Sequence, residues 1–121
     1  MTVAVHRRIV KYVPNHLGSD ELGRVFHALS DPTRRVIVER LVHRPASVKA
    51  LAEPLAMSLP AVMQHLKVLE DAGVIATEKA GRVRSCRVEP TVLRAAEHWL
   101  GEQRTRWERQ FDQLDDYLKG R

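Results

Sequence analysis

The chain has 121 residues, enough for one domain with a buried core, and its 20 Lys and Arg residues outnumber its 15 Asp and Glu residues, giving a formal net charge of +5. This balance favours a polyanionic partner and disfavours an enzyme for acidic substrates. The single cysteine excludes an intramolecular disulfide, and the lack of a signal-peptide pattern or a long apolar run predicts a cytoplasmic protein.

The first 18 residues have no clear helical or strand period, and they contain basic residues but no acid. They are predicted to form an N-terminal arm that packs on a partner subunit or, equally, a frayed terminus. The domain proper is predicted over residues 19–90. It begins with one helix from Asp20 to Leu29, capped by Ser19, and a second from Asp31 to about His43. The second helix is predicted to bury a broad face made of Val36, Ile37, Val38, Leu41 and Val42.

Two short helices follow, separated by a brief turn. Ser47 begins the first, which is predicted from Val48 to Leu55, and Ser58 caps the second, which stops at Gly73. The second helix has one apolar stripe, consisting of Val62, Leu66 and Leu69. Its opposite face carries no carboxylate in the first three turns and holds Pro60, Ala61, Met63, Gln64 and Lys67. This pattern predicts a helix-turn-helix whose second member enters a DNA major groove.

A basic hairpin is predicted directly after this recognition helix. Residues 74–79 and 82–88 alternate in the manner of strands around Ala80-Gly81. Lys79, Arg82 and Arg84 lie at or near the turn between them. A hairpin in this position is typical of the wing of a winged helix.

Residues 91–121 are predicted to form one long C-terminal helix of the same domain. Its apolar residues recur at three- and four-residue steps along nearly the whole helix, about 40 Å, which is more than one small domain can cover. The surplus face is predicted to pack against a second copy of the chain. The expected dimer interface consists of Leu22, Phe26, Trp99, Trp107, Phe111 and Leu114. Such a dimer places two recognition helices about 34 Å apart and requires an inverted-repeat operator.

The motifs together resemble a known family. Residues 28–35 (Ala-Leu-Ser-Asp-Pro-Thr-Arg-Arg), residues 64–69 (Gln-His-Leu-Lys-Val-Leu) and the hairpin are similar to those of the ArsR-type (ArsR/SmtB) winged helix-turn-helix transcriptional regulators of bacteria. The similarity covers roughly residues 20–117. It implies a mainly α fold with a small β-hairpin wing, dimerisation through the first and last helices, and function as a DNA-binding repressor.

Each residue of the predicted double-stranded DNA interface has a proposed role. Gln64 is expected to read adenine, because its amide can both donate and accept at N6 and N7. Small apolar side chains are expected to pack on thymine methyls, Ser58 and Lys67 to contact phosphate, and Arg82 to enter a minor groove. His65 is interpreted mainly as a packing residue. The full predicted set is Ser58, Pro60, Ala61, Met63, Gln64, His65, Lys67, Lys79, Arg82 and Arg84.

Two arginines near the start of the second helix are not included in that set. Arg34 and Arg35 could reach phosphate, but a solvated face is the preferred interpretation. For Arg35 this interpretation includes an ion pair with Glu39 one turn later.

The chain departs from the family at the positions that bind metals. The segment from Val48 to Ala56 contains no cysteine, where arsenic and cadmium sensors place thiolates, and His98 has no second histidine in the last helix. No metal, no cofactor and no catalytic residue are therefore predicted. Met63 stands where family members commonly carry serine, so no known base preference is transferred.

Three other interpretations remain open. The first is a winged-helix module that binds a protein rather than DNA, which would show no salt-sensitive DNA binding. The second, which is less favoured, is a metal-responsive sensor. Cys86, beside Arg84 and Arg87, is interpreted as an inert half-buried thiol in preference to a redox switch. An enzyme is not predicted, because the sequence has neither a Gly-rich phosphate loop nor a recognisable catalytic arrangement.

Overall fold

The computed structural model of the protein describes residues 17–120, so the predicted arm lies outside the described residues except for its last two positions. The described elements, in chain order, are α1 (Ser19–Leu29), α2 (Pro32–His43), β1 (Ala46–Ser47), α3 (Val48–Ala52), α4 (Leu59–Asp71), β2 (Ile75–Ala80), β3 (Val83–Val88) and α5 (Pro90–Lys119). The predicted mainly α fold with a helix-turn-helix, α3–α4, and a wing, β2–β3, is confirmed.

Side-chain caps fix where α2 and α4 begin. The Asp31 carboxylate accepts a hydrogen bond from the Arg34 backbone N–H at 3.1 Å, and the Ser58 hydroxyl accepts one from the Ala61 N–H at 3.3 Å. Each cap satisfies an amide that has no partner in the first helical turn. Both helix starts agree with the prediction.

The predicted bounds of α1 and α3 were wrong by a few residues. Ser19 is the first residue of α1 rather than its cap, because the Glu21 carboxylate reaches back to accept from the Gly18 N–H at 2.7 Å. Helix α3 ends at Ala52, three residues earlier than predicted. The nearby Pro54 has no N–H with which to continue the helical hydrogen bonds.

The prediction that Val36 and Val42 are buried was also wrong, since they are 41% and 60% exposed. A helix turned toward one core buries a single stripe. In α2 this stripe follows the i, i+3, i+4, i+7 pattern and consists of Arg34, Ile37, Val38 and Leu41. It packs with the buried residues of α1, α3 and α4.

The wing is part of a three-stranded antiparallel sheet with the order β1-β3-β2. Strands β2 and β3 are joined by a tight turn in which Gly81 has φ +64°, and Ala80 pairs with Val83 next to it. On the other side of β3, Ala46 pairs with Cys86. Strand β1 was not predicted, because two residues are too few to display the alternation of a strand.

Helix α5 has 30 residues and is therefore about 45 Å long. Only its first turns are buried, at Val92, Ala95 and Ala96. Farther along, Trp99 packs edge-on against Phe26 of α1, with ring centroids 6.0 Å apart. None of the helices described between residues 17 and 120 is long and apolar enough to span a membrane.

The turn that follows α4 depends on Gly73. This residue has φ +79°, and its N–H donates to the Glu70 carbonyl at 2.9 Å, while the Val74 N–H donates to the Leu69 carbonyl at 3.0 Å. These bonds form a Schellman-type stop. A Cβ added to Gly73 would lie 3.3 Å from Cγ2 of Val92 on α5.

We therefore expect Gly73→Ala to lower the free energy of unfolding by about 1 kcal/mol or more, because alanine is strained at this φ. Urea unfolding followed by circular dichroism measures the change. Gly101→Ala is the matched control: Gly101 lies within α5, where an added Cβ meets nothing within 4 Å among the described residues apart from the backbone of its own helix. Its substitution should leave stability equal or slightly higher. Equal losses in both variants would contradict the assignment.

Candidate nucleic-acid interface

The burial of one face of α4 determines which side chains it presents outward. Val62 and Leu69 are completely buried and Leu66 is 3% exposed. On the opposite side Leu59 is 54% exposed and Met63 39% exposed. The exposed residues at the beginning and along this outer face of α4 are Ser58, Leu59, Pro60, Met63, Gln64 and Lys67, while Ala61 and His65 are half-buried beside it.

A groove of about 290 Å³ lies between this face and the wing. Its lining consists of Met63, Gln64, Leu66, Lys67, Glu70, Thr77 and Arg84. The groove therefore brings together four of the residues predicted to contact DNA, three from α4 and one from β3. The other predicted contacts lie outside it: Ser58, Pro60, Ala61 and His65 on α4, and Lys79 and Arg82 near the turn of the wing.

A chain of hydrogen bonds joins the wing to the recognition helix. The Thr77 hydroxyl donates to the Glu70 carboxylate at 2.9 Å and accepts from Nη1 of Arg84 at 3.3 Å. This arrangement fixes the Arg84 guanidinium at the edge of the groove. Sequence reasoning did not single out Thr77 or Glu70, although strand alternation from the buried Ile75 places Thr77 on the same face of β2.

Lys67 is paired within its own helix. Its ammonium group lies 3.2 Å from the carboxylate of Asp71, and both side chains are well exposed. An exposed i, i+4 pair of this kind contributes little to stability. A phosphate can therefore replace Asp71 as the partner of Lys67 at small cost.

Arg34 is buried behind the recognition helix, which corrects its interpretation as part of a solvated face. The residue is 9% exposed. Its Nε donates to the carbonyl of Ala28 at 2.6 Å, and its Nη2 donates to the carbonyl of His27 at 3.2 Å. Its Nη1 lies 3.1 Å from Nδ1 of His65 on α4. The sequence did carry a signal for this burial, because Arg34 falls on the apolar stripe of α2.

Arg35 also differs from its prediction. Its Nη1 donates to the carbonyl of Leu29 at 2.8 Å, at the end of α1, instead of extending along α2 to Glu39. Helix-terminal carbonyls lack partners within their own helix and are strong acceptors for a guanidinium. The two arginines thus join the end of α1 to the start of α2.

The structure provides no obvious reactive or metal-binding centre in the part of the chain that it describes. No three His, Cys, Asp or Glu side chains among residues 17–120 are grouped as metal ligands would be. His98 lies 3.3 Å from the carboxylate of Glu102. Cys86 is completely buried, more than predicted, and burial raises the pKa of its thiol. A thiol of this kind is a poor nucleophile, so a redox switch at Cys86 is disfavoured.

Comparison with known proteins identifies the family of this fold. A family model described as a helix-turn-helix domain matches residues 29–78. The HTH-type transcriptional regulator Rv2034 of Mycobacterium tuberculosis is 50% identical over 72 residues, which are 60% of this chain and 67% of that protein. The crystal structure of the ArsR family transcriptional regulator RHA00566 superposes with a TM-score of 0.73 at 47% identity, covering 76% of this chain and 95% of that one. The chain belongs to the ArsR family.

Two further proteins extend this similarity. The transcriptional repressor SdpR of Bacillus subtilis is 33% identical over 79 residues, 65% of this chain and 88% of that protein. An ArsR-like regulator from Rhodococcus sp. RHA1 superposes with a TM-score of 0.78 at 29% identity, over 84% of this chain and 94% of that one. The ArsR family consists of DNA-binding transcriptional regulators and not of enzymes, so the exposed face of α4 belongs to a DNA-binding fold.

The carboxylate that caps the start of α2 makes the stability of the fold depend on pH. The hydrogen bond from the Arg34 N–H is the main cause that lowers the pKa of Asp31 from its ordinary 3.8, and it outweighs the burial of the carboxyl, which acts in the opposite direction. A carboxyl whose pKa is lower in the folded state stabilises that state above its unfolded pKa. This stability is lost as the pH falls through the folded pKa.

We therefore expect the wild-type chain to lose stability more steeply than Asp31→Asn as the pH is lowered from about 5 to about 3. Asparagine is a comparable N-cap but does not titrate, so it serves as the matched variant. Urea unfolding at a series of pH values measures both curves. If the two curves of stability against pH were parallel, Asp31 would have the same pKa in the folded and unfolded chains, and the prediction would be wrong.

Proposed function

We propose that the chain is a homodimeric repressor that acts in the cytoplasm and binds an inverted-repeat operator, with α4 in the major groove and the wing against the minor groove. The observation that carries this proposal is the outer face of α4. This face is exposed and free of carboxylates from Leu59 to Leu69, while the opposite face is buried in the core. SdpR, which is 33% identical to this chain over 79 residues, is a transcriptional repressor, and this similarity supports repression rather than activation.

Base reading is assigned to the first two turns of α4. Gln64 is exposed in the groove and its amide matches the donor and acceptor pattern of adenine. Leu59, Pro60, Ala61 and Met63 offer apolar surface to thymine methyls. Because these four side chains form few or no hydrogen bonds to bases, Gln64 is the principal direct reader.

Phosphate binding is assigned to the residues around this face. Ser58 and Lys67 lie at either end of the outer face of α4, and Arg84 lies across the groove. Lys79 and Arg82 are exposed near the turn at Gly81, where a guanidinium on a narrow hairpin fits a minor groove. These contacts position the protein on DNA and carry little sequence information.

Dimerisation is assigned mainly to α5. Trp107, Phe111 and Leu114 are 62%, 57% and 54% exposed, and the first two rings stack with centroids 5.5 Å apart. An apolar stripe of this size is unusual on a monomer and marks an interaction surface. Leu22 is only 9% exposed within its own chain, so it contributes little to such an interface.

We propose that a second copy of the chain covers the apolar stripe of α5, because a dimer suits a DNA target. A twofold dimer presents two α4 helices to successive major grooves, about 34 Å apart. A winged helix-turn-helix domain from Mycobacterium bovis that shares the fold, with a TM-score of 0.58 at 22% identity, is itself described as homodimeric. The dimer of the present chain is inferred from the stripe on α5.

The DNA-binding proposal is tested by fluorescence anisotropy on an operator identified by genome-wide footprinting. Gln64→Ala is expected to lower operator affinity about tenfold while changing affinity for unrelated DNA little. Lys67→Ala and Arg82→Ala should lower affinity for every sequence. Each should also reduce the slope of log affinity against log salt concentration by about one.

Lys119→Ala is the matched control, since it removes one positive charge at the far end of α5, where Lys119 pairs with Asp115 at 3.1 Å. Its DNA affinity should stay close to that of the wild type. If the wild type bound no DNA with salt-sensitive affinity and instead formed a stable complex with another protein, the protein-interaction interpretation would replace this one.

The dimer is tested by sedimentation equilibrium. Trp107→Glu is expected to yield monomers at micromolar concentrations, because it buries a charge in the proposed interface. Thr105→Glu is the matched control: Thr105 is exposed and lies two residues away, on the far side of the helix. A wild-type chain that sediments as a monomer would refute the assignment.

A further inference from the structure

We infer that Arg34 is a positioning residue of the DNA interface: it holds His65 in the Nε2–H tautomer, so that this N–H donates to a phosphate oxygen of bound DNA. The inference rests on the proposed placement of α4 in the major groove. It adds a residue that does not itself reach DNA and gives His65, predicted mainly to pack, a defined chemical role.

The first step is the direction of the hydrogen bond between the two side chains. Nη1 of Arg34 lies 3.1 Å from Nδ1 of His65. A guanidinium has donors only, so Nδ1 must accept. A neutral imidazole that accepts at Nδ1 carries its proton on Nε2.

The second step is that Arg34 cannot readily move away. Its other nitrogens donate to the carbonyls of Ala28 and His27 at 2.6 and 3.2 Å, and the side chain is 9% exposed. The carboxylate of Asp31, which caps α2, lies 3.9 Å from the same Nδ1. A buried guanidinium with a partner at each of its three nitrogens is rigid, and it restricts the ring that it holds.

The third step is the position of His65 on α4. It follows Gln64 directly, and its side chain is 22% exposed, so the ring is anchored on one side and reaches solvent on another. A donor beside the base-reading residue lies where the DNA backbone borders the major groove. A pre-oriented N–H at that place binds a phosphate oxygen without losing further side-chain entropy.

The experiment is a double-mutant cycle in the full chain, read by anisotropy on a labelled mixed-sequence duplex at low salt. A phosphate contact does not require the operator. Arg34→Lys is expected to weaken DNA binding about tenfold when His65 is present and less than about twofold in the His65→Ala background. If Arg34 only stabilised the fold, the two backgrounds would show the same loss, and the inference would be overturned.

Arg40→Lys is the matched control. Arg40 is also on α2 and donates to two carbonyls, those of Leu51 and Ala50, both at 3.0 Å. It is not bonded to His65, so its substitution should have the same effect on DNA binding in both backgrounds. If the effect of Arg40→Lys on DNA binding depended on His65 as strongly as the effect of Arg34→Lys does, the result would count against a specific role for Arg34.

A second measurement does not depend on the variants folding. Nitrogen-15 NMR of the His65 ring in the wild-type chain should give an unprotonated Nδ1 and a protonated Nε2, and the Nε2 proton should move downfield when the duplex is added. A protonated Nδ1, or an Nε2 proton unaffected by DNA, would refute the inference. Absence of any DNA binding by the wild type would instead refute the proposed function.

Discussion

The burial of Val62, Leu66 and Leu69 is the constraint on which the interface depends. Each of these side chains contributes about 1.5–3 kcal/mol when it is removed from water, so rotating α4 about its axis would be costly. The rotation that buries them is also the one that exposes Gln64 and Lys67. The hydrophobic core therefore selects the face that is proposed to meet DNA, and the side chains on that face contribute little to the choice.

Arg34 adds a polar constraint to this apolar one. Apolar packing fixes the orientation of α4, but it gives no direction to a polar group at its edge. The guanidinium supplies that direction, because it joins two carbonyls at the end of α1 to the ring of His65. Burying a charge in this way is tolerable only when it is hydrogen-bonded, and each of the three guanidinium nitrogens has a partner here. The first helix and the recognition helix are thus connected through one side chain.

Most of the fold followed from local signals in the sequence, whereas the exceptions depended on distant contacts. The caps Asp31 and Ser58 and the stop at Gly73 act within a few residues, so their effects could be predicted. The burial of Arg34 was missed although the residue lies on the apolar stripe of α2, because arginine is normally exposed unless acceptors from another helix are available. Strand β1 likewise exists only because β3 lies beside it. The roles of individual residues in binding DNA remain predictions.

The proposed pairing of α5 with a second copy rests on the exposure of its second half in a single chain. Its buried residues end at Ala96, yet the helix continues to Lys119 with its largest apolar side chains exposed. Helices gain most of their stability from packing rather than from propensity. Large apolar side chains that stay exposed within the described part of the chain are the reason for proposing a partner that covers Trp107 and Phe111.

The composition of the outer face of α4 limits how specificity can arise. One bidentate side chain discriminates against a wrong base by about 1–3 kcal/mol, so in the proposed dimer two copies of Gln64 would supply roughly 2–6 kcal/mol. Specific recognition typically requires about 4–10 kcal/mol. Leu59, Pro60 and Met63 add only apolar contacts. The remainder must come from the fixed spacing of two half-sites and from groove shape, which Arg82 on the wing is placed to sense.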